Sequence, residues 1–126
     1  MGAKLKEVPK EEAKAASQLP KPTGYHMLIA LPEVEEKTNG GIYKPDETMD
    51  IERFSTVTGM VLAMGPDCYN DDKKFPTGPW CKEGDFVVFR AFQGTRVKIH
   101  GKEFRLLNDD SIEAVVDDPT GIVRAG

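Results

Sequence analysis

The sequence lacks any long apolar run: nowhere in its 126 residues is there a stretch near the roughly 20 apolar positions that span a bilayer. Met1-Gly2-Ala3-Lys4-Leu5-Lys6 has no apolar core of a secretion signal, and Lys6 stands where myristoylation at Gly2 wants Ser or Thr. No membrane association is expected, and a cytoplasmic location is. Cysteine is scarce. Cys68 and Cys81 are too few for a secreted disulfide framework. A bridge between them would add about 3 kcal/mol in chain-entropy terms, but a reducing compartment favours two thiols. Neither stands at a metal-ligand spacing from His26 or His100, so no metal is expected. Asp67, Asn70, Asp71 and Asp72 lack the alternation of a calcium loop and read as a solvated turn. Excess positive charge is missing too: a net charge of −4 gives no footprint for a nucleic-acid backbone. Gly-x-Ser-x-Gly, a phosphate-binding glycine loop and a paired His-carboxylate cluster are all absent, so no enzyme is expected.

What is present is a set of short β-prone runs. With 39% hydrophobic and 30% charged residues, the chain is composed like one soluble domain. Residues 1–22 form a Lys-, Glu-, Ala- and Pro-rich extension. Its apolar residues make no stripe, and Pro9, Pro20 and Pro22 interrupt any helix, so it reads as a flexible or loosely docked tail. From Tyr25 the character changes. Tyr25–Leu31, Val57–Met64, Asp85–Arg90, Arg96–His100, Glu103–Leu107 and Ile112–Val116 each have strand length and composition. Gly101-Lys102 reads as the tight turn of a hairpin, and Asn108–Ser111 as a turn or a single helical turn. Residues 119–126 read as a C-terminal tail. Such a chain is all-β, and a closed or nearly closed barrel is the natural solution because it removes exposed edges.

Two connections are too long for this plan, since loops between strands usually run about 2–5 residues. One is residues 32–56, with seven acidic and three basic residues; the other is residues 66–83. Within the first, Gly40-Gly41 gives a hinge, Ile42 and Tyr43 follow as an apolar pair in polar surroundings, and Pro45 stiffens what comes next. The pair reads either as a linear anchor for a groove on a partner or as a patch packed back onto the barrel. One such anchor binds weakly. Burying two side chains yields about 1.5–3 kcal/mol each, while ordering each backbone residue costs about 1–2 kcal/mol. Several copies on one oligomer gain avidity, so the anchor reading implies an oligomer.

Four motifs, in order, resemble the GroES-type co-chaperonins, the small caps of large chaperonin rings. Gly40-Gly41-Ile42-Tyr43 resembles the family's mobile loop, and Gly59–Pro66 its glycine-to-glycine strand. Lys82-Glu83-Gly84-Asp85 followed by Phe86–Phe89 resembles its lysine-x-glycine-aspartate strand, and Asp110–Val116 its closing strand. The similarity runs from about Pro22 to Val116. It implies an irregular, partly open β-barrel over residues 23–118, a mobile loop near 32–56 and a roof hairpin near 66–83. It implies a chaperonin-binding set of Gly40, Gly41, Ile42, Tyr43 and Lys44. It also implies a heptameric homo-oligomer in which the first strand of one copy pairs with the last strand of the next, engaging Tyr25, Met27, Ile29, Ile112 and Val115. The partner is a large chaperonin ring, which itself binds and hydrolyses ATP; the cap needs no cofactor and encloses unfolded client proteins.

The sequence departs from the family pattern in places. Lys44 stands where a third apolar anchor residue is common, and Tyr25-His26 replaces an acidic–basic pair. The loop runs on through Met49, Ile51 and Phe54, and the roof segment is longer and holds both cysteines. Phe75 and Trp80 there either line the chamber or pack the hairpin. A rival reading is a small β-barrel interaction or nucleic-acid module of the OB type, for which Arg90, Phe92, Arg96, Lys98 and Arg105 supply a mild basic–aromatic pattern.

Overall fold

A computed structural model describes residues 18–32 and 56–125. Their strands are β1 His26–Ala30, β2 Thr58–Met64, β3 Phe86–Phe89, β4 Thr95–Ile99, β5 Lys102–Asn108 and β6 Ile112–Val116. A single 3-10 turn, Asp109–Ser111, joins β5 to β6. All six strands form one sheet in the order β4-β5-β1-β2-β3-β6, with antiparallel neighbours throughout. β4 and β6 are the outer strands, so the sheet does not close. The all-β, partly open barrel expected from the sequence is what the chain forms.

Alternation along the strands sends one set of side chains inward. Met27, Ile29, Val61, Val87, Phe89, Leu107 and Ile112, from five strands, meet in one cluster with Leu31, Tyr69, Phe75 and Cys81. Strands far apart in the sheet share that cluster only because the sheet curls. Bulges at Leu28/Ile29 and Val88/Phe89 help it bend. Gly59 lets β2 lie close to β1, since a Cβ there would meet Ile29 Cγ2 and, at 2.8 Å, the carbonyl of Ala30.

The β4–β5 turn sits one residue earlier than the sequence suggests. His100 and Gly101, not Gly101 and Lys102, are its central residues, with φ of 48° and 83°. Positive φ at both positions is the type I′ turn, whose twist matches the flanking strands.

The expected roof hairpin does not form: residues 65–85 carry no strand. Pro66, Pro76 and Pro79 have no N–H for a ladder, and Gly78 turns the chain at φ 90°. The segment instead folds onto the barrel and buries Tyr69, Phe75 and Cys81 in the core.

Candidate functional site

The ends of the long 33–55 connection are set by strand pairing. β1 leads to Pro32 and β2 starts at Thr58, and these strands are antiparallel neighbours with Ala30 opposite Met60. The connection therefore leaves and rejoins the sheet at one end. Beside that end lies a cleft of about 480 Å³ lined by Leu31, Pro32, Met60 and Phe86. Pro119 and Ile122 of the C-terminal segment form its other wall, and the Arg124 guanidinium lies 5.3 Å from the Phe92 ring centre. The anchor residues Gly40, Gly41, Ile42, Tyr43 and Lys44 lie outside the described residues, as do Met49, Ile51 and Phe54.

Of the five residues of the implied subunit contact, three face inward and Tyr25 and Val115 are exposed. Met27 and Ile29 are wholly buried and Ile112 is nearly so, all in the chain's own core. β1 is hydrogen-bonded to β2 on one side and β5 on the other, so His26–Ala30 has no edge left for a neighbour's strand. The implied strand-to-strand pairing across Tyr25–Leu31 is corrected on that ground. Tyr25, half exposed and stacked on His26 at 5.1 Å, precedes the strand and remains accessible. β6 differs: β3 occupies one edge, and the other has no strand partner among the described residues. Glu113, Ala114 and Val115 on it are exposed. Of the expected tail, residues 18–22 are described; Leu19, Pro20 and Pro22 are half-buried, and Gln18 Oε1 lies 2.8 Å from His100 Nε2.

The roof segment is fixed by specific side-chain contacts. Tyr69 sits at φ 60°, a conformation disfavoured for a bulky residue. It is held there by two bonds to Asp109: its N–H donates to Oδ2 at 2.9 Å and its phenol to the carbonyl oxygen at 2.8 Å. Burial, then the contact with Cys81, pushes the phenol's pKa far up, so it stays a donor at neutral pH. Phe75 packs edge-on to Tyr69 at 4.9 Å and to Trp80 at 5.0 Å. Phe75 is thus a packing residue, whereas Trp80 packs on one side and is 41% exposed. Cys68 and Cys81 are free thiols. Burial pushes Cys68 up to about 11 despite its hydrogen bond with Gly65, and burial likewise raises Cys81, which keeps both protonated. Asp71 Oδ1 accepts the N–H groups of Lys73 and Lys74, and Asn70 Nδ2 donates to the Pro66 carbonyl. The acidic run is thereby a capped turn. Among the described residues no group of three His, Cys, Asp or Glu could hold a metal ion.

The basic–aromatic surface of the rival reading comes apart in three dimensions. Arg105 is fully buried over the Phe89 ring, 3.5 Å from Glu103. Arg96 grips the same carboxylate with two bonds, 2.8 and 3.1 Å long. Charges spent on a buried carboxylate do not face a phosphate backbone. Nothing in the sequence distinguished Arg105 from its exposed neighbours; only its register on β5 turns it inward.

An antiparallel sheet open at β4 and β6, with both ends of the 33–55 connection at one end of it, is the frame on which the comparisons with known proteins bear, and they place the chain among the small co-chaperonins. The family described as the chaperonin 10 kd subunit matches residues 20–116. The co-chaperonin GroES of Lawsonia intracellularis is 38% identical over 102 residues, covering 80% of this chain and 95% of that one. Those of Nitratidesulfovibrio vulgaris strain DP4 and Corynebacterium diphtheriae are 36% and 33% identical over 97 residues, with 77% of this chain and 97% and 93% of theirs covered. This chain belongs to the chaperonin 10 kd subunit family, and co-chaperonin is the function that membership carries. Among the described residues no helix is long and apolar enough to cross a membrane.

Proposed function

We propose that this chain caps a large ATP-dependent chaperonin ring in the cytoplasm and closes its chamber over an unfolded client protein. Ile42 and Tyr43, after the Gly40-Gly41 hinge, grip the chaperonin, with Lys44 at the margin of the contact. The chain needs no cofactor; ATP is bound and hydrolysed by the chaperonin. The observation that carries the reading is the family match across residues 20–116, which brackets the segment holding that apolar pair. The geometry supports it, because the pairing of β1 with β2 roots both ends of 33–55 at one end of the sheet. Copies arranged in a ring, seven by the family resemblance, would present their apolar pairs on one rim. Each grip is then weak and reversible, and the ring binds by avidity.

A pull-down on an immobilised large chaperonin ring, with ATP, with ADP and without nucleotide, tests partner and function together. Nucleotide-dependent capture is expected. Absence of capture under all three conditions, by a chain shown to be folded, overturns the reading.

A further inference from the structure

We propose that the cleft between β2 and the C-terminal segment is the seat of this chain's own Phe54, and that the seat fixes the second root of the 33–55 connection. Phe54 lies outside the described residues, and the cleft lies within them. What the seat does for the anchor rests on the capping reading above; the seat itself does not.

The cleft is a built feature. Thr58, Gly59 and Met60 of β2 form its floor, flanked by Leu31 and Phe86. Met60 and Phe86 are half-buried and stand outside the core cluster, so the cleft holds apolar surface that the core leaves uncovered. Its far wall is a fixed turn. Ile122 donates its N–H to the Pro119 carbonyl at 3.0 Å, and Gly121, third residue of that turn, has the positive φ, 83°, of a type II turn. The Thr120 N–H donates to Asp118 Oδ1 at 2.9 Å, and Arg124 over the Phe92 ring at 5.3 Å holds the segment beyond the turn. Val123, which also lines the cleft, is 80% exposed.

Chain geometry selects the occupant. The connection leaves from Pro32 and returns to Thr58, and both residues line the cleft. The Val57 carbonyl accepts the Phe89 N–H at 2.9 Å, so pairing with β3 already runs one residue beyond β2. Phe54 stands three residues before that carbonyl, about 10 Å of extended chain at most. A strand continued upstream with its period of two puts position 54 on the face of Thr58 and Met60. It puts Met49 and Ile51, the other large apolar residues of that stretch, on the opposite face. Glu52, Arg53 and Ser55 around Phe54 are polar, so its ring is the group that gains by burial there. Seated, Phe54 returns the connection to the cleft from which Pro32 leaves. Tyr43 is then eleven residues from a fixed point instead of fourteen, and a shorter tether holds the apolar pair at higher effective concentration over a partner.

The experiment uses the full chain with labelled Met and Ile methyl groups and labelled aromatic rings, and reads magnetic cross-relaxation from the Phe54 ring, assigned by its loss in Phe54→Ser. Cross-peaks to the Met60 and Ile122 methyl groups are expected. In peroxide footprinting read by peptide mass, Met60 is expected to oxidise severalfold faster in Phe54→Ser than in wild type. Val123→Asp alters an exposed wall and spares the core, and the same direction is expected of it. Phe54→Ser is also expected to weaken capture by an immobilised large chaperonin ring. Absent cross-peaks with Met60 oxidised alike in all three folded chains, or Met60 contacts made by Ile51 or Tyr43 in place of Phe54, overturn the seat. Cross-peaks found only between differently labelled copies, or only after reduced, carboxymethylated lactalbumin is added, overturn it in favour of a second copy or a client. Unchanged capture by Phe54→Ser overturns the tether effect alone. A seated chain that no chaperonin captures overturns the capping reading and leaves the seat standing; capture by a chain without the seat does the reverse.

Discussion

Tyr69 is tied twice to Asp109, by its backbone N–H to the carboxylate and by its phenol to the carbonyl oxygen. Forty residues separate the two in sequence. The clamp fastens the proline-rich roof segment to the turn before β6, and it holds a tyrosine at a φ of 60°. The segment has no ladder, and the clamp works beside the Asp67 N–H bond to the Gly24 carbonyl and the Lys74–Asp110 ion pair to keep it in place.

Removing the phenol alone, in Tyr69→Phe, is expected to cost about 1 kcal/mol, the usual net worth of one hydrogen bond. Asp109→Ala is expected to cost more, about 1–3 kcal/mol, because the buried Tyr69 N–H then has no acceptor. Urea denaturation at unchanged slope measures both.

Glu103 neutralises the fully buried Arg105. Glu103→Gln leaves that charge without its counter-ion and is expected to destabilise the fold by about 3–5 kcal/mol. Burial pushes the Glu103 carboxyl up, but the Arg96 and Arg105 guanidiniums outweigh it and hold the carboxyl below its ordinary 4.5. A depressed carboxylate contributes stability that is full above the unfolded value and lost as pH falls through the folded one. The melting-temperature gap between wild type and Glu103→Gln should therefore be constant above pH 4.5 and narrow below it.

Gly65 lies against the backbone of Thr23 and Gly24, where a Cβ would collide with the Gly24 carbonyl. Backbone on both sides cannot yield as a side chain can. Gly65→Ala is expected to cost about 1–3 kcal/mol, read as a fall in thermal midpoint.

Cys68, pushed up to about 11, holds little thiolate at neutral pH. Iodoacetamide at pH 8 should modify it at least about tenfold more slowly than an ordinary thiol of pKa about 8.5, the lower thiolate fraction outweighing the higher nucleophilicity of a more basic thiolate. Rapid labelling of the folded chain would contradict this.

Ile42→Asp is expected to abolish nucleotide-dependent capture by the chaperonin while leaving the thermal midpoint within about 0.5 kcal/mol-equivalent of wild type, as for a surface site. Retained capture would move the anchor elsewhere in 33–55.

Strand identity was legible from local pattern. Ile112–Val116 was bounded to the residue, and the other strands to within two. The proposed anchor, Ile42 and Tyr43, rests on the sequence alone, as a pair of apolar residues out of place in an acidic stretch outside the described residues, and the ordered glycine motifs carried the family. Trp80 was visible as an aromatic in an irregular segment, but not that it would stand beside an open strand edge.

By itself, the sequence determined the all-β class, the strands and their turns, because alternation, glycine and proline act over a few residues. Tertiary structure decided the rest. β1 became an interior strand with no edge to offer, because β5 returned to pair with it, His26 opposite Asn108 and Ala30 opposite Phe104. The 66–83 segment became a clamped cover and not a hairpin, because Tyr69 found Asp109 across the fold. Contacts between residues far apart in the chain depend on curling the whole sheet around one core, and no local pattern encodes which edges that leaves open.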